Sequence, residues 1–174
     1  YGSPLHKDFV PDFDDIHVGR IRAAGAIVIG KTNTPEKGLG SHTYNPVFGI
    51  TRNPYDLTKS AGGSSGGAAA ALAACILPLA DGSDMMGSLR NPAAFNNVIG
   101  FRPSFGRVPA LDNELYLGQL SVCGPMGRTV ADVAALLDIQ SGHDPRDPLS
   151  LPKEDFSAIR PLDAQGLRIG WLGD

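Results

Sequence analysis

Apolar and polar positions change period several times along this chain. Residues 16–24 (IHVGRIRAA) follow a helical spacing, with Asp14 or Asp15 placed to cap the start and Gly25 just past the end. The next five residues, AIVIG at 26–30, form a short, continuous, β-branched run. Such a run predicts a strand buried on both faces, and a helix followed by a buried strand is the order expected of an α/β sheet. Residues 32–56 are rich in Asn, Pro, Thr and Gly and read as long, ordered loops. A helix of small residues is predicted over 66–77 (GGAAAALAACIL), and strands over 77–80 and 98–101. Residues 129–140 (TVADVAALLDIQ) predict an amphipathic helix capped by Thr129, with Asp132 at its third position and Gly142 beyond its end. A Pro-rich connector covers 143–153, and 166–170 (GLRIG) starts a last strand. A strand with no helix after it to cover it leads to the expectation that the domain continues beyond Asp174.

Composition narrows the class. The 174 residues are 42% hydrophobic with a mean hydropathy of −0.06, as in ordinary globular chains. No apolar run reaches the roughly 18 residues that a bilayer-spanning helix needs. Residues 1–12 lack the basic start and apolar stretch of a signal peptide. The net charge is −3 and the basic residues are scattered, so no nucleic-acid surface is expected. Cys75 and Cys123 form no CxxC pair and no disulfide framework, which suits reduced thiols in a cytoplasmic setting. No HExxH, GxGxxG or GxxxxGK[ST] occurs, so no metal and no cofactor is expected. The chain carries 22 glycines between well-patterned apolar segments, which favours a fold with close backbone approaches over disorder.

Candidate chemistry concentrates in residues 60–107. Ser64 lies in GGSSGG (62–67) and Ser88 in DMMGS (84–88), 24 residues later (88 − 64), followed by Arg90, Asn91 and Pro92. A Gly/Ser run before a helix is, taken alone, most often a turn with a capping hydroxyl. GGSSG also satisfies the G-x-S-x-G elbow of α/β-hydrolases, but the polar DLTKS before it argues against the buried strand that motif requires. His143 with Asp132 or Asp138 offers a triad on paper, and His6, His17 and His42 read as surface or loop residues.

The whole arrangement resembles the amidase-signature family. The pieces that carry the resemblance are GGSSGG at 62–67, the small-residue helix, GSD at 82–84, GSLR at 87–90 and GFRPSFGR at 100–107. AAGAIVIGKTN at 23–33, FGITRNP at 48–54 and GPMGRTV at 124–130 also match. The resemblance implies an α/β fold with a mixed central β-sheet covered by helices on both faces. It implies hydrolysis of a carboxylic amide through an acyl-serine, because a serine hydroxyl needs a base to become a nucleophile and family members use a neutral lysine. Carried over by position, Ser88 is the nucleophile and Ser64, behind a cis Gly63–Ser64 bond, relays the proton. The N–H groups of Met85, Met86, Gly87 and Ser88 would receive the oxyanion, and Ser65, Asp84 and Arg90 would brace the loop.

Residues 1–174 would then be a partial amidase-signature domain, an interior piece lacking the N-terminal segment with the catalytic lysine and the C-terminal part, and inactive alone. Lys7-Asp8 has no apolar strand before it to desolvate a lysine, so the base is expected upstream. Lys31 and Lys59 read as structural or surface residues. Met86 stands where the family has glycine and Met85 where it often has a small residue, which would reshape the acyl pocket. Lys37 replaces an aromatic or aliphatic residue, for which the sequence offers no account. The expected partner is a small-molecule amide, with no membrane, and a homodimer of the full-length protein stays open. Two alternatives also stay open: the amidase subunit of a tRNA-dependent amidotransferase, and a non-catalytic binding module that keeps the serines as scaffolding.

Overall fold

The computed structural model describes residues 1–111, 118–158 and 163–170. Its centre is an antiparallel sheet of three strands, β5 (Leu79–Asp84), β6 (Ile99–Gly100) and β7 (Val122–Gly127), in the order β5-β7-β6. The register runs from Leu79 opposite Gly127 to Asp84 opposite Val122, and Gly100 faces Met126 on the other edge. Four short strands precede it as two antiparallel pairs: β1 (Tyr44–Asn45) with β2 (Gly49–Ile50), and β3 (Arg52–Asn53) with β4 (Asp56–Ser60). The helices are α1 (Ile16–Ala23), α2 (Gly66–Ala73), α3 (Arg90–Phe95) and α4 (Val130–Gln140).

Alternation along β5 and β7 assigns the helices to faces, because successive residues of a strand point to opposite sides. Ala80, Gly82, Gly124 and Met126 share one side. There Met126 joins Ala68, Ala69 and Leu72 of α2, Leu89, and Ala93 of α3 in the buried core, with Ala80 packed against it. Asp81, Cys123 and Gly127 share the other. A β-carbon at Gly127 would lie 3.3 Å from Val133 of α4, and Asp81 Oδ2 lies 3.3 Å from Nε2 of His17 on α1. The sheet is therefore covered on both faces, as the resemblance implied, and all its pairs among the described residues are antiparallel.

The capped helices form where their sequences place them. Asp15 accepts from the Ile16 N–H at 2.7 Å, and Thr129 Oγ1 accepts from the Asp132 N–H at 3.1 Å. Helix α4 buries Val133, Leu136, Leu137 and Gln140, the i, i+3, i+4, i+7 stripe of an amphipathic helix. Arg20 of α1 reaches the carbonyls of Gln140 and Gly142 at 3.0 and 2.9 Å, placing a cation on the C-terminal end of α4.

Three expectations are corrected. Residues 26–30 form no strand, and Ile27, Val28 and Ile29 are exposed; no described segment pairs with them, and a strand buried on both faces exists only where neighbours supply the ladder and the layers. Residues 166–170 form no strand for the same reason, with Leu167 and Ile169 exposed. His17 is buried against Asp81 rather than lying on the surface. The central strand β7 contains Pro125, which a sequence reading places only at edges. Its carbonyl accepts from Phe101, just past the two-residue β6, so the missing N–H falls where that neighbour ends. Residues 32–56, read as loops, contain β1 to β3 and are held by their own amides. Asn45 donates to Asn33 Oδ1 (2.6 Å) and the Thr34 carbonyl (2.8 Å) while accepting from the Val47 and Phe48 N–H groups.

Candidate active site

Ser64 sits in the turn between β4 and α2, after a cis Gly63–Ser64 peptide, and is buried. Gly62, at φ +72°, opens this turn in a conformation that L side chains rarely adopt. A strand does precede the serine loop, but β4 belongs to an exposed two-stranded pair and not to the buried sheet a nucleophile elbow rises from.

The serines of this loop do not cap α2. Thr43, buried in the neighbouring segment, accepts from the Gly66 N–H at 3.1 Å and donates to the Ser64 carbonyl at 3.3 Å. One borrowed hydroxyl thus takes the first N–H of the helix, the Asn33 carbonyl takes that of Gly67 at 3.2 Å, and the same hydroxyl fixes the Ser64 peptide, which leaves the Ser64 side chain uncommitted to capping. Ser65 turns to the sheet instead. Its Oγ lies 3.3 Å from both the N–H and the carbonyl of Ser83, on the edge of β5 away from β7, and completes that edge as a strand would.

The Ser65 N–H donates to the Ser88 carbonyl at 3.2 Å, so the two serine segments lie side by side. Among the described residues no hydrogen bond joins the Ser64 and Ser88 hydroxyls, and none links either to a lysine. Lys59 pairs with Asp56 at 3.5 Å, Lys31 lies over the Tyr1 ring, and Lys7 is exposed. Lys37 is exposed in a left-handed conformation, its N–H donating to the Tyr1 carbonyl; nothing in the structure explains its charge.

Residues 84–88 leave the end of β5 and wrap around Asp84, which is fully buried. Its carboxylate accepts from the N–H groups of Gly87 (2.7 Å) and Leu89 (3.1 Å), from Arg90 Nε (3.0 Å) and Nη2 (3.1 Å), and from Arg102 Nη1 (2.8 Å). Burial pushes the Asp84 carboxyl up. The Arg90 bonds, the two backbone N–H groups and Arg102 outweigh it and hold the group well below the usual carboxylate range. The expected Asp84–Arg90 brace is present. Arg102 is a functional candidate that sequence reasoning missed, although it lies inside the GFRPSFGR segment; only the fold shows that this segment turns back over β5.

Of the four N–H groups expected to face an oxyanion, that of Gly87 is already donated to Asp84. Those of Met85, Met86 and Ser88 have no hydrogen-bond partner among the described residues. Met85 and Met86 are exposed, Met86 to 80%. His143 bonds Ser150 through Nδ1 at 3.0 Å, and Asp138 is held by Lys153, so His143 makes no triad with Asp132 or Asp138. Two clefts, of about 260 and 340 Å³, flank His42 and Tyr44 rather than Ser88. Among the described residues no cluster of His, Cys, Asp and Glu could hold a metal, and no helix is long and apolar enough to cross a membrane.

The amidase family model matches residues 1–174, and the chain belongs to that family. The A-subunit of the glutamyl-tRNA(Gln) amidotransferase of Rhodopirellula baltica is 46% identical over 173 residues, covering 98% of this chain and 35% of the relative. Its counterpart in Thermus thermophilus is 49% identical over 150 residues, covering 86% of this chain and 32% of the relative. Among solved structures, a bacterial aryl acylamidase of the amidase-signature family superposes with a TM-score of 0.80 at 42% identity, covering 85% of this chain and 31% of its own. The 6-aminohexanoate cyclic dimer hydrolase complexed with substrate gives 0.82 at 40%, covering 88% and 33%. The chain therefore spans about a third of the length of these relatives.

Proposed function

We propose that a full-length protein carrying this chain cleaves a carboxylic amide through an acyl-serine intermediate, with Ser88 as nucleophile. The reading is carried by the 3.2 Å bond from the Ser65 N–H to the Ser88 carbonyl, which seats the Ser64 loop against a turn whose Met85, Met86 and Ser88 N–H groups are uncommitted. Ser88 Oγ attacks the amide carbonyl carbon as its proton passes to Ser64 Oγ, whose own proton passes to the base. That base is a neutral lysine contributed from outside the described contacts. The developing oxyanion is held by the three free N–H groups. Collapse expels the amine or ammonia with the returned proton. Water then hydrolyses the acyl-serine, releasing the acid and restoring both hydroxyls. The substrate is a small amide, and the exposed thioethers of Met85 and Met86 favour an apolar acyl group over a charged one.

A fluorophosphonate probe on the full-length protein tests this. Labelling that Ser88→Ala abolishes and Ser64→Ala slows supports it; a wild-type protein that takes no label is the result expected of a non-catalytic module. A second reading, as one component of an amidotransferase, is favoured by the names of the relatives at 43–49% identity. Co-purification of partner proteins with the full-length protein, and amide hydrolysis that depends on them, would select it.

A further inference from the structure

Arg102 bonds directly to the backbone of the 84–88 turn, yet nothing in the proposed chemistry uses it. Its side chain is 23% exposed, and Nη1 donates to the carbonyl oxygens of Asp84 and Met85 as well as to Asp84 Oδ1. Its Nη2 donates to the Leu120 carbonyl at 2.8 Å, two residues before the central strand β7 begins. The guanidinium thus ties the turn to the segment leading into the sheet's middle strand.

In a trans peptide the carbonyl and the following N–H point in opposite directions across one rigid plane. The peptides that follow Asp84 and Met85 are both trans, the one cis bond among the described residues being Gly63–Ser64. Holding the Asp84 and Met85 carbonyls towards Arg102 therefore turns the Met85 and Met86 N–H groups to the opposite side. Those are two of the three N–H groups left without a partner. A cation on the carbonyl oxygen also polarises the peptide and strengthens its N–H as a donor. Asp84 performs the complementary task, taking up the Gly87 and Leu89 N–H groups so that they cannot compete.

We infer that Arg102 is a positioning residue for the oxyanion site: by gripping the carbonyls of residues 84 and 85 from behind, it aims the N–H groups of Met85 and Met86 at the carbonyl oxygen of the bound amide. The role rests on the acyl-serine reading above. It differs from that of Arg90, which touches the carboxylate of Asp84 and is exposed over half its side chain.

The test uses the full-length protein with Arg102→Lys and Arg102→Met. Lysine keeps the charge but cannot span two carbonyls and Leu120 together. For Arg102→Met, kcat for an anilide substrate should fall about ten-fold to a hundred-fold with KM little changed, short of the roughly 10²–10³ that losing a whole oxyanion donor costs. Arg102→Lys should fall in between. Inhibition by an aldehyde analogue, whose adduct bears the oxyanion, should weaken in proportion to kcat. Amide hydrogen exchange at Gly87 and Leu89, whose N–H groups are bonded to the Asp84 carboxylate that Arg102 also holds, should quicken in both variants while that of α4 is unchanged. A purely structural role would instead lower the thermal midpoint and exchange protection throughout, leaving kcat per folded molecule unaltered. That result, or an unchanged kcat with unchanged exchange, overturns the inference. A wild type whose Ser88 takes no fluorophosphonate removes the acyl-serine reading and this role with it; a labelled wild type with unaffected Arg102 variants removes this role alone.

Discussion

Arg90 meets Asp84 side-on, Nε to Oδ2 at 3.0 Å and Nη2 to Oδ1 at 3.1 Å, although the arginine is half exposed and the carboxylate fully buried. The asymmetry assigns the energetics. The buried partner also organises the Gly87 and Leu89 N–H groups and Arg102, so it is the member whose loss strands several donors at once. Asp84→Asn puts an NH₂ where an acceptor stood, and is expected to destabilise the protein by about 3 kcal/mol. Arg90→Gln, at the wet end of the pair, should cost about 1 kcal/mol or less. Urea unfolding of the two variants checks the ordering, and equal losses would refute it.

Acid should act through the same carboxylate. The Asp84 pKa in the fold lies below its ordinary value of about 3.9 in an unfolded chain. Its contribution to stability is therefore complete above that ordinary value and is lost as pH falls below it towards the folded-state pKa. Urea midpoints measured from pH 6 down to pH 2 should drop more steeply in the wild type than in Asp84→Asn. Parallel curves would show that the acid sensitivity lies elsewhere.

Thr43→Val keeps shape and removes one hydroxyl. It leaves the Gly66 N–H and the Ser64 carbonyl without their shared partner in a buried position. The expected cost is roughly 1–3 kcal/mol. Because the same hydroxyl fixes the Ser64 peptide, fluorophosphonate labelling of Ser88 in the full-length protein should slow as well. A variant that loses stability but labels at the wild-type rate would show that Thr43 serves the helix start alone.

The two thiols should separate cleanly. Cys75 is exposed, whereas burial, then the negative charges of Asp15 and Asp81, push the Cys123 thiol up to about 12. At pH 8 iodoacetamide should modify Cys75 quickly and the half-buried Cys123 far more slowly until the protein is unfolded, since the thiolate is the reacting form. Peptide mapping identifies which is which, and rapid modification of Cys123 in the folded protein would contradict the raised pKa of its thiol.

Some of this was legible from residues alone. Asp15 with Gly25, and Thr129 with Asp132, lie within a turn or two of the helices they bound, so short-range hydrogen bonding and the 3.6-residue period fixed α1 and α4 to within a residue. The serine loops were legible for a similar reason: their glycine spacing is a local requirement of tight backbone turns, and the order of the motifs carried the family resemblance. Tertiary structure decided what depends on distant neighbours. It made the proline-containing 122–127 segment the central strand, gave the start of α2 a threonine from 23 residues upstream, and folded Arg102 back onto the 84–88 turn. Within these residues, about a third of the length of the relatives, Ile27, Val28 and Ile29 are exposed although their pattern calls for burial. An apolar, β-branched run states only that a segment can be a buried strand; whether it becomes one is settled by which other segments reach it, and that is a property of the closed chain rather than of any window along it.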